Sequence, residues 1–288
     1  VAKAKTVDYV VMFGGLNKSD YQDCEGHDRQ QYELPYAQNK LVTALAAANK
    51  NFVYVNISGN AVAMPWKDKV PAIVQGWYLG SEAGDALASV LTGDVNPSGK
   101  LPFTWVRSLQ DVGAHALNTY PGTWRLKGGA QTKGNIIDEE YKEGIYVGYR
   151  WADKKKQRPV FAFGHGLSYT QFAITNLKAD KATMTANDSI SFTVQVKNIG
   201  QRAGSEIVQL YVHDVKASVD RPLKELKGFQ KVSLLPGESK DVTITLGKDA
   251  LSFYDETSAA WKAEAGQFEA WVGNASDNLK LKKTFELK

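Results

Sequence analysis

The segment best suited to chemistry is a carboxylate-rich loop that follows the first apolar run, residues 9–13. Its four acidic residues are Asp20, Asp23, Glu25 and Asp28. In an open parallel sheet, the loops that leave the carboxyl ends of the strands line the ligand crevice. Glu25 could serve there as a general acid, and we expect Gly26 to let the backbone turn its side chain outward. On residue types alone, the favoured interpretation is a solvated acidic loop in which Asp28 and Arg29 form local ion pairs.

The elements that would position this loop alternate between strand and helix. The predicted strands are residues 9–13, 52–57 and 72–77, and the predicted helices are residues 35–48 and 81–91. Pro35 suits a first helical turn, Ser81 a capping position and Gly93 a helix end. The alternation is typical of an α/β domain, in which a mostly parallel and buried sheet has helices flanking it.

A long segment without periodicity, residues 113–134, ends this pattern and contains Trp124. From about residue 174 onward, every second residue is apolar, most clearly at 189–196 and 206–212. Strict alternation with turn residues between the runs predicts an antiparallel β-sandwich. We therefore predict two domains, an α/β domain over residues 1–172 and an all-β sandwich over residues 173–288.

Composition excludes several classes of protein. The chain has 288 residues, with 35 basic against 31 acidic side chains. A net charge of +4 is too small to indicate a nucleic-acid-binding protein. No apolar run approaches the roughly 18 residues of a membrane span. Because Cys24 is the single cysteine, the chain has no internal disulfide framework and no cysteine-rich zinc site. We interpret Cys24 as an unreactive thiol and not as a nucleophile. The four histidines lack paired spacing, so we expect no metal and no cofactor.

Two motifs of other enzyme classes fail. Residues 93–100 read GDVNPSGK, which has five residues between its glycines where a phosphate loop has four, and a strand-like run follows it. No serine lies between the flanking glycines of a nucleophile elbow. A nucleotide-binding α/β domain is therefore supported by topology alone.

Several blocks, in chain order, resemble glycoside hydrolase family 3. In the first half they are CEGHDR with LP at 24–35, VQGWYLG with GDAL at 74–87, LTGDVNPSGKLP at 91–102, GIYVGYR at 144–150 and FAFGHGLSYT at 161–170. In the second half, RPLKELKGF at 221–229 and LPGE at 235–238 are similar to the fibronectin type III-like domain of many members. His165 departs from the family pattern, where an aromatic residue is more usual.

The resemblance implies a retaining exo-β-glycosidase that releases terminal β-D-glucosyl or xylosyl residues from neutral oligosaccharides or aryl glycosides. In such enzymes an amino-terminal (β/α)8 barrel carries the aspartate nucleophile, and the α/β domain supplies the acid/base glutamate. Glu25 fits that role best, and Asp23 is a candidate for a sugar contact. The chain contains no barrel, so we interpret it as the carboxy-terminal part of an enzyme that is inactive without the barrel. The sequence leaves open whether the protein forms a homodimer.

Two further residues are candidates for substrate contacts. Glu143 is the main rival of Glu25 as the acidic site residue, and its alternative role is a structural contact under the 113–134 segment. Trp124 is a candidate for stacking on an aglycone. A different class of function also stays open, a stand-alone carbohydrate-binding or scaffolding protein. We expect a periplasmic or secreted location, with an export signal upstream of Val1. A cytoplasmic location is the alternative.

Overall fold

The computed structural model describes residues 1–124 and 137–288 and contains an α/β part followed by a β-sandwich. In the α/β part the strands are β1 (Val10–Gly15), β2 (Phe52–Ile57), β3 (Ala72–Gln75), β4 (Thr123–Trp124) and β5 (Ile137–Asp138). Its helices are α1 (Gln38–Ala48), α2 (Ala83–Thr92), α3 (Gly113–Ala116) and α4 (Tyr149–Lys154). No helix in these described ranges is long and apolar enough to cross a membrane.

The sheet of the α/β part confirms the predicted fold class. β1, β2 and β3 lie side by side in that order and pair in parallel, with Val10 opposite Phe52 and Val53 opposite Ala72. α1 connects β1 to β2, as a parallel connection requires. All three strands therefore end at one edge of the sheet, and the loops that follow them are neighbours.

The predicted helix starts were wrong, whereas the predicted ends at Ala48 and Gly93 were right. α1 begins at Gln38 and not at Pro35, because Tyr36 and Ala37 both have a φ of 57°, which is left-handed backbone that cannot continue a helix. Glu82, not Ser81, precedes α2, and no side chain caps it. Gly93 ends α2 with a φ of 84°, the conformation that favours glycine at this position.

β1 is less buried than its apolar sequence predicts. Val11 and Phe13 are 44% and 56% exposed, while β2 is almost wholly buried. β1 is the outer strand of the three-stranded sheet, so one of its edges and the face of Val11 and Phe13 meet no other strand within the described residues. A continuous apolar run therefore does not indicate burial on both faces here.

The core of the α/β part lies against β2. Its large, fully buried side chains include Phe52, Tyr54, Trp66 and Trp105. The Trp66 ring meets Tyr54 edge-on with 4.8 Å between centroids, and Trp105 Nε1 donates to the Val62 carbonyl over 2.8 Å. Both indoles therefore form part of the core.

The second part is the predicted antiparallel sandwich. Its strands are β6 (Phe172–Ala179), β7 (Thr183–Met184), β8 (Ser189–Asn198), β9 (Gly204–Asp214), β10 (Glu225–Leu234), β11 (Ser239–Gly247), β12 (Phe253–Asp255), β13 (Ala260–Lys262), β14 (Gly266–Gly273) and β15 (Leu281–Leu287). One sheet has the order β10-β9-β14-β15-β7 and the other β11-β8-β6. The alternating apolar side chains face one another between the sheets.

Buried polar contacts join the two parts. Lys100 Nζ lies 2.7 Å from Glu206 Oε1, and these side chains are 10% and 8% exposed. Lys224 forms an ion pair with Asp153 of α4. Gly164 has a φ of 79° and packs directly against the Gln209 side chain, so a Cβ there would collide with it. The turn within residues 161–170 thus forms part of the contact between the α/β part and the sandwich.

Candidate active site

The candidate site lies where β1, β2 and β3 end. A buried polar network first fixes the ends of β2 and β3. The Asn56 side chain is fully buried and its Nδ2 donates to Ser58 Oγ and to Gln75 Oε1, each over 2.7 Å, while Tyr54 donates to its Oδ1 over 3.2 Å. Because every buried polar group here has a partner, the loops that leave these strands start from fixed positions.

Asp23 ties the three loops together. Its carboxylate accepts hydrogen bonds from the Gly59 backbone over 2.8 Å, from Asn60 Nδ2 over 3.1 Å and from the Tyr78 hydroxyl over 2.8 Å. Gly59 and Asn60 follow β2 and Tyr78 follows β3. Burial, and then the hydrogen bond to Asp23, raise the pKa of Tyr78 to about 12, so Tyr78 stays a donor at neutral pH. Asp23 is therefore an anchor of the loop that carries Glu25.

Arg29 is the second anchor of this loop. Its Nη2 donates to the Ala61 carbonyl over 2.6 Å, and the Tyr32 ring centroid lies 5.7 Å from its guanidinium carbon. Burial lowers the pKa of Arg29 from its ordinary value, and the Asp23 carboxylate opposes that shift. Nη1 is buried without a hydrogen-bond partner among the described residues.

The expected ion pair between Asp28 and Arg29 was wrong. Asp28 Oδ2 accepts a 2.5 Å hydrogen bond from the Tyr120 hydroxyl, whereas Arg29 binds Ala61 and faces Asp23. The hydrogen bond to Asp28, followed by burial, raises the pKa of Tyr120 to about 12. Two residues adjacent in sequence thus point to different partners, and Asp28 connects the loop after β1 to the segment that begins at residue 113.

Glu25 lies between these anchors and is exposed. Within the described part of the chain, no hydrogen bond or ion pair engages its carboxylate. Gly26 has neither a positive φ nor a neighbour that a Cβ would meet, so the exposure of the Glu25 side chain does not depend on a glycine at position 26. Between residues 16 and 29, the residue with left-handed backbone is Tyr21, with a φ of 62°. An exposed carboxyl group on a fastened loop, without a partner among the described residues, is accessible to a ligand.

Among the described residues, Glu143 does not join this cluster of contacts. Glu143 is half-buried against Gly113, at the start of α3, and its Oε2 is buried without a hydrogen-bond partner in the described ranges. This position favours the structural contact under the 113–134 segment. The Trp124 backbone pairs with Ile137, but its side chain and residues 125–136 lie outside the described residues, so the aglycone contact stays a prediction.

The same loop gathers three side chains that the sequence analysis did not connect. Asp20, Cys24 and His27 each place one ligand-type atom within 4.8 Å of the other two. Their separations of four and three residues are compatible with a turn, but in an aperiodic loop such spacing alone does not predict proximity. Tyr78, Asn60 and Tyr120 were missed for a similar reason, since each comes from a different loop.

Comparison with known proteins decides the family. The family model described as "Glycosyl hydrolase family 3 C-terminal domain" matches residues 1–149, which is more than half of the chain, and a fibronectin type III-like domain model matches residues 206–276. The chain belongs to glycoside hydrolase family 3. It is the carboxy-terminal part of that architecture, the α/β domain followed by the fibronectin type III-like domain, as the sequence blocks predict.

Relatives in glycoside hydrolase family 3 match along almost the entire chain. "Beta-glucosidase BoGH3A" of Bacteroides ovatus is 50% identical over 99% of this chain and 37% of its own length, and "Thermostable beta-glucosidase B" of Acetivibrio thermocellus is 44% identical over 98% and 35%. The solved β-glucosidase of Kluyveromyces marxianus in complex with glucose is 41% identical, with a TM-score of 0.85 over 100% of this chain and 32% of that one. The chain thus spans about a third of the length of these relatives.

Proposed function

We propose that this chain supplies the acid/base side of an active site shared with an amino-terminal (β/α)8 barrel, in a retaining exo-β-glycosidase. The enzyme would release terminal β-D-glucosyl, or xylosyl, residues from neutral β-linked oligosaccharides and aryl glycosides. The observation that carries the proposal is the exposed Glu25 carboxylate on a loop held by Asp23, Asp28 and Arg29. The relatives named as β-glucosidases support the glucoside class of substrate.

The contacts favour Glu25 over the two other carboxylates considered for the site. Asp23 uses both oxygens to hold neighbouring loops, and losing those bonds would displace Glu25. Glu143 lies against Gly113 and presents a buried oxygen. Glu25 alone of the three is exposed. It can therefore meet a leaving-group oxygen without first giving up a contact within the described chain.

The proposed reaction proceeds by two displacements. The aspartate carboxylate of the barrel attacks the anomeric carbon, the bond to the leaving oxygen breaks, and Glu25 donates its proton to that oxygen. Glu25 then takes a proton from water as the water displaces the carboxylate, so the anomeric configuration is retained. Retention requires the two carboxyl groups to lie roughly 5 to 5.5 Å apart. Because the nucleophile belongs to the barrel, the isolated chain is proposed to be inactive.

The experiment uses the enzyme that contains both this chain and its barrel. Glu25→Ala, Asp23→Ala and Glu143→Ala are compared on cellobiose, which has a poor leaving group, and on a dinitrophenyl glucoside, which departs without protonation. Glu25→Ala should lower kcat/KM for cellobiose by about 100-fold or more, the usual contribution of a general acid, while kcat/KM for the activated glycoside is affected far less. Near wild-type hydrolysis of cellobiose by Glu25→Ala would overturn the assignment and favour Glu143.

A further inference from the structure

Three side chains of the loop before and after Glu25 converge on one point. Asp20, Cys24 and His27 offer a carboxylate oxygen, a thiol sulfur and an imidazole nitrogen, and these atoms all lie within 4.8 Å of one another. The separation between His27 Nδ1 and Asp20 Oδ1 is 3.9 Å. Ligands of a tetrahedral zinc ion bind at about 2.0 to 2.3 Å, so their atoms lie roughly 3.3 to 3.8 Å apart. Small side-chain rotations would therefore bring the three atoms to coordinating distance.

The backbone around these residues is already turned. Ser19 donates its amide to Asn17 Oδ1 over 2.8 Å, and the Asp23 amide donates to the Asn17 carbonyl over 3.1 Å. The Cys24 thiol donates to the His27 carbonyl over 3.4 Å, which closes the turn between two of the three side chains. Since Asp23, next to Cys24, is itself fastened to the loops after β2 and β3, little loop ordering remains to oppose binding.

The donor set selects the class of ion. A thiolate and an imidazole favour a borderline-soft divalent cation such as Zn²⁺ over Ca²⁺ or Mg²⁺, which prefer oxygen ligands. Three protein ligands leave a fourth position for water. The His27 and Asp20 side chains are 51% and 78% exposed, so a hydrated ion can reach them from solvent.

We propose that Asp20, Cys24 and His27 form a binding site for Zn²⁺, and that the bound ion inhibits hydrolysis by restricting the movement of Glu25. The inhibitory part rests on the proposed function of Glu25. On binding, Cys24 gives up its hydrogen bond to the His27 carbonyl and releases its proton to the buffer, and the sulfur lone pair forms the bond to the ion. Glu25 lies directly between two ligands in sequence, so a rigid three-ligand clasp restricts its backbone on both sides.

Binding is tested with Co²⁺ alone as a spectroscopic probe on the 288-residue chain. One equivalent should produce the thiolate-to-cobalt charge-transfer absorption in the near ultraviolet, and Zn²⁺ should displace it. Cys24→Ser should abolish the band, and His27→Gln should weaken affinity by at least the ~10- to 100-fold typical of a damaged metal site. Glu25→Gln is the matched control from the same loop and should keep the band. A band that survives Cys24→Ser, or no band at all, would overturn the site.

Inhibition is tested separately in the enzyme with its barrel, with each variant compared to its own metal-free rate. Zn²⁺ should inhibit the wild type reversibly, with recovery on adding EDTA, and the Zn²⁺ concentration for half-inhibition should rise about tenfold or more in Cys24→Ser. Equal inhibition of both proteins would overturn the inhibitory role. Failure of Glu25 as the acid would instead appear as retained cellobiose hydrolysis by Glu25→Gln, with the cobalt band unaffected.

Discussion

The Tyr120 hydroxyl donates a 2.5 Å hydrogen bond to Asp28 Oδ2. This bond connects the segment after α3 to the loop that carries Glu25, across 92 positions of sequence. The ring of His115, in α3, has its centroid 5.1 Å from that of the Tyr120 ring. The position of the Glu25 loop is therefore set from two sides, by Asp23 through the loops after β2 and β3 and by Asp28 through Tyr120.

Removal of the Tyr120 hydroxyl should loosen both segments. Because Tyr120→Phe deletes one partially exposed hydrogen bond to a carboxylate, we expect amide exchange in residues 16–29 and 113–124 to accelerate about fivefold, equivalent to about 1 kcal/mol. Hydrogen–deuterium exchange mass spectrometry measures this directly. Tyr141→Phe, at a tyrosine that is 78% exposed, is the control. Equal exchange in both variants would show that the bond to Asp28 contributes nothing.

Substitution of Asp23 distinguishes an anchor from a sugar contact. Asp23→Ala leaves the Gly59 amide and the Tyr78 hydroxyl without their acceptor, and we expect the free energy of unfolding to fall by ~1–3 kcal/mol. Urea titration gives the value. Asp68→Ala, at a side chain that is 79% exposed, should change it by less than about 0.5 kcal/mol. A raised KM for Asp23→Ala with unchanged stability would contradict the anchor and favour a direct sugar contact.

The buried ion pair between the two parts should be costly to break. Lys100→Met leaves the buried Glu206 carboxylate without its cation and with hydrogen bonds from the Asn274 side chain and the Ile207 amide, so we expect a loss of ~3–5 kcal/mol in unfolding free energy. Lys262→Met is the matched control, because Lys262 is 51% exposed beside Glu264 and should cost at most about 1 kcal/mol. Similar losses in the two variants would contradict a buried role for Lys100.

His165 should make the chain less stable in mild acid. Burial lowers the pKa of His165 below its ordinary value, Lys100 and Lys67 add to that shift, and Asp277 opposes it. Its ring stacks on Phe161 with 5.0 Å between centroids. The unfolded chain therefore binds the proton more readily, and stability falls as the pH drops through about 6.5 until the folded-state pKa is passed.

Replacement of His165 by the aromatic residue more usual in the family should remove this dependence. The stability of His165→Phe relative to wild type should rise as the pH falls from about 7.5 to 5 and should be constant above about 7.5, since the imidazole is neutral there in both states. Thermal unfolding at a series of pH values measures the difference. A difference that does not vary with pH would contradict the burial of an uncharged His165.

Local patterns were sufficient to predict the fold but not the contacts of the site. The period-two apolar pattern predicted β8 and β9, and the order of elements predicted the parallel sheet, because side-chain burial on one face dictates both. The starts of α1 and α2 were misplaced, since the backbone conformations of Tyr36 and Ala37 depend on how the loop after β1 meets the helix. The exposure of Phe13 likewise depends on which strands lie beside β1.

The sequence indicated which loop carries the candidate site, but it did not indicate the hydrogen bonds that hold that loop. Glu25 could be chosen because a loop at the carboxyl end of β1 and the CEGHDR block both pointed to it. The partners of Asp23, Asp28 and Arg29 could not be chosen, because they come from residues between 30 and 100 positions away in sequence. Charge complementarity between neighbours in sequence favoured the Asp28–Arg29 pair, and the long-range contacts prevailed.

The most direct test of Glu25 as the acid/base residue is the product that Glu25→Ala forms with azide. In the enzyme with its barrel, azide should attack the anomeric carbon of the glycosyl intermediate, displace the barrel carboxylate and give a β-glucosyl azide, because azide needs no general base. We predict that azide accelerates turnover of a dinitrophenyl glucoside by Glu25→Ala and has no such effect on Glu143→Ala. Absence of the β-azide from Glu25→Ala, or its formation by Glu143→Ala instead, would contradict the assignment.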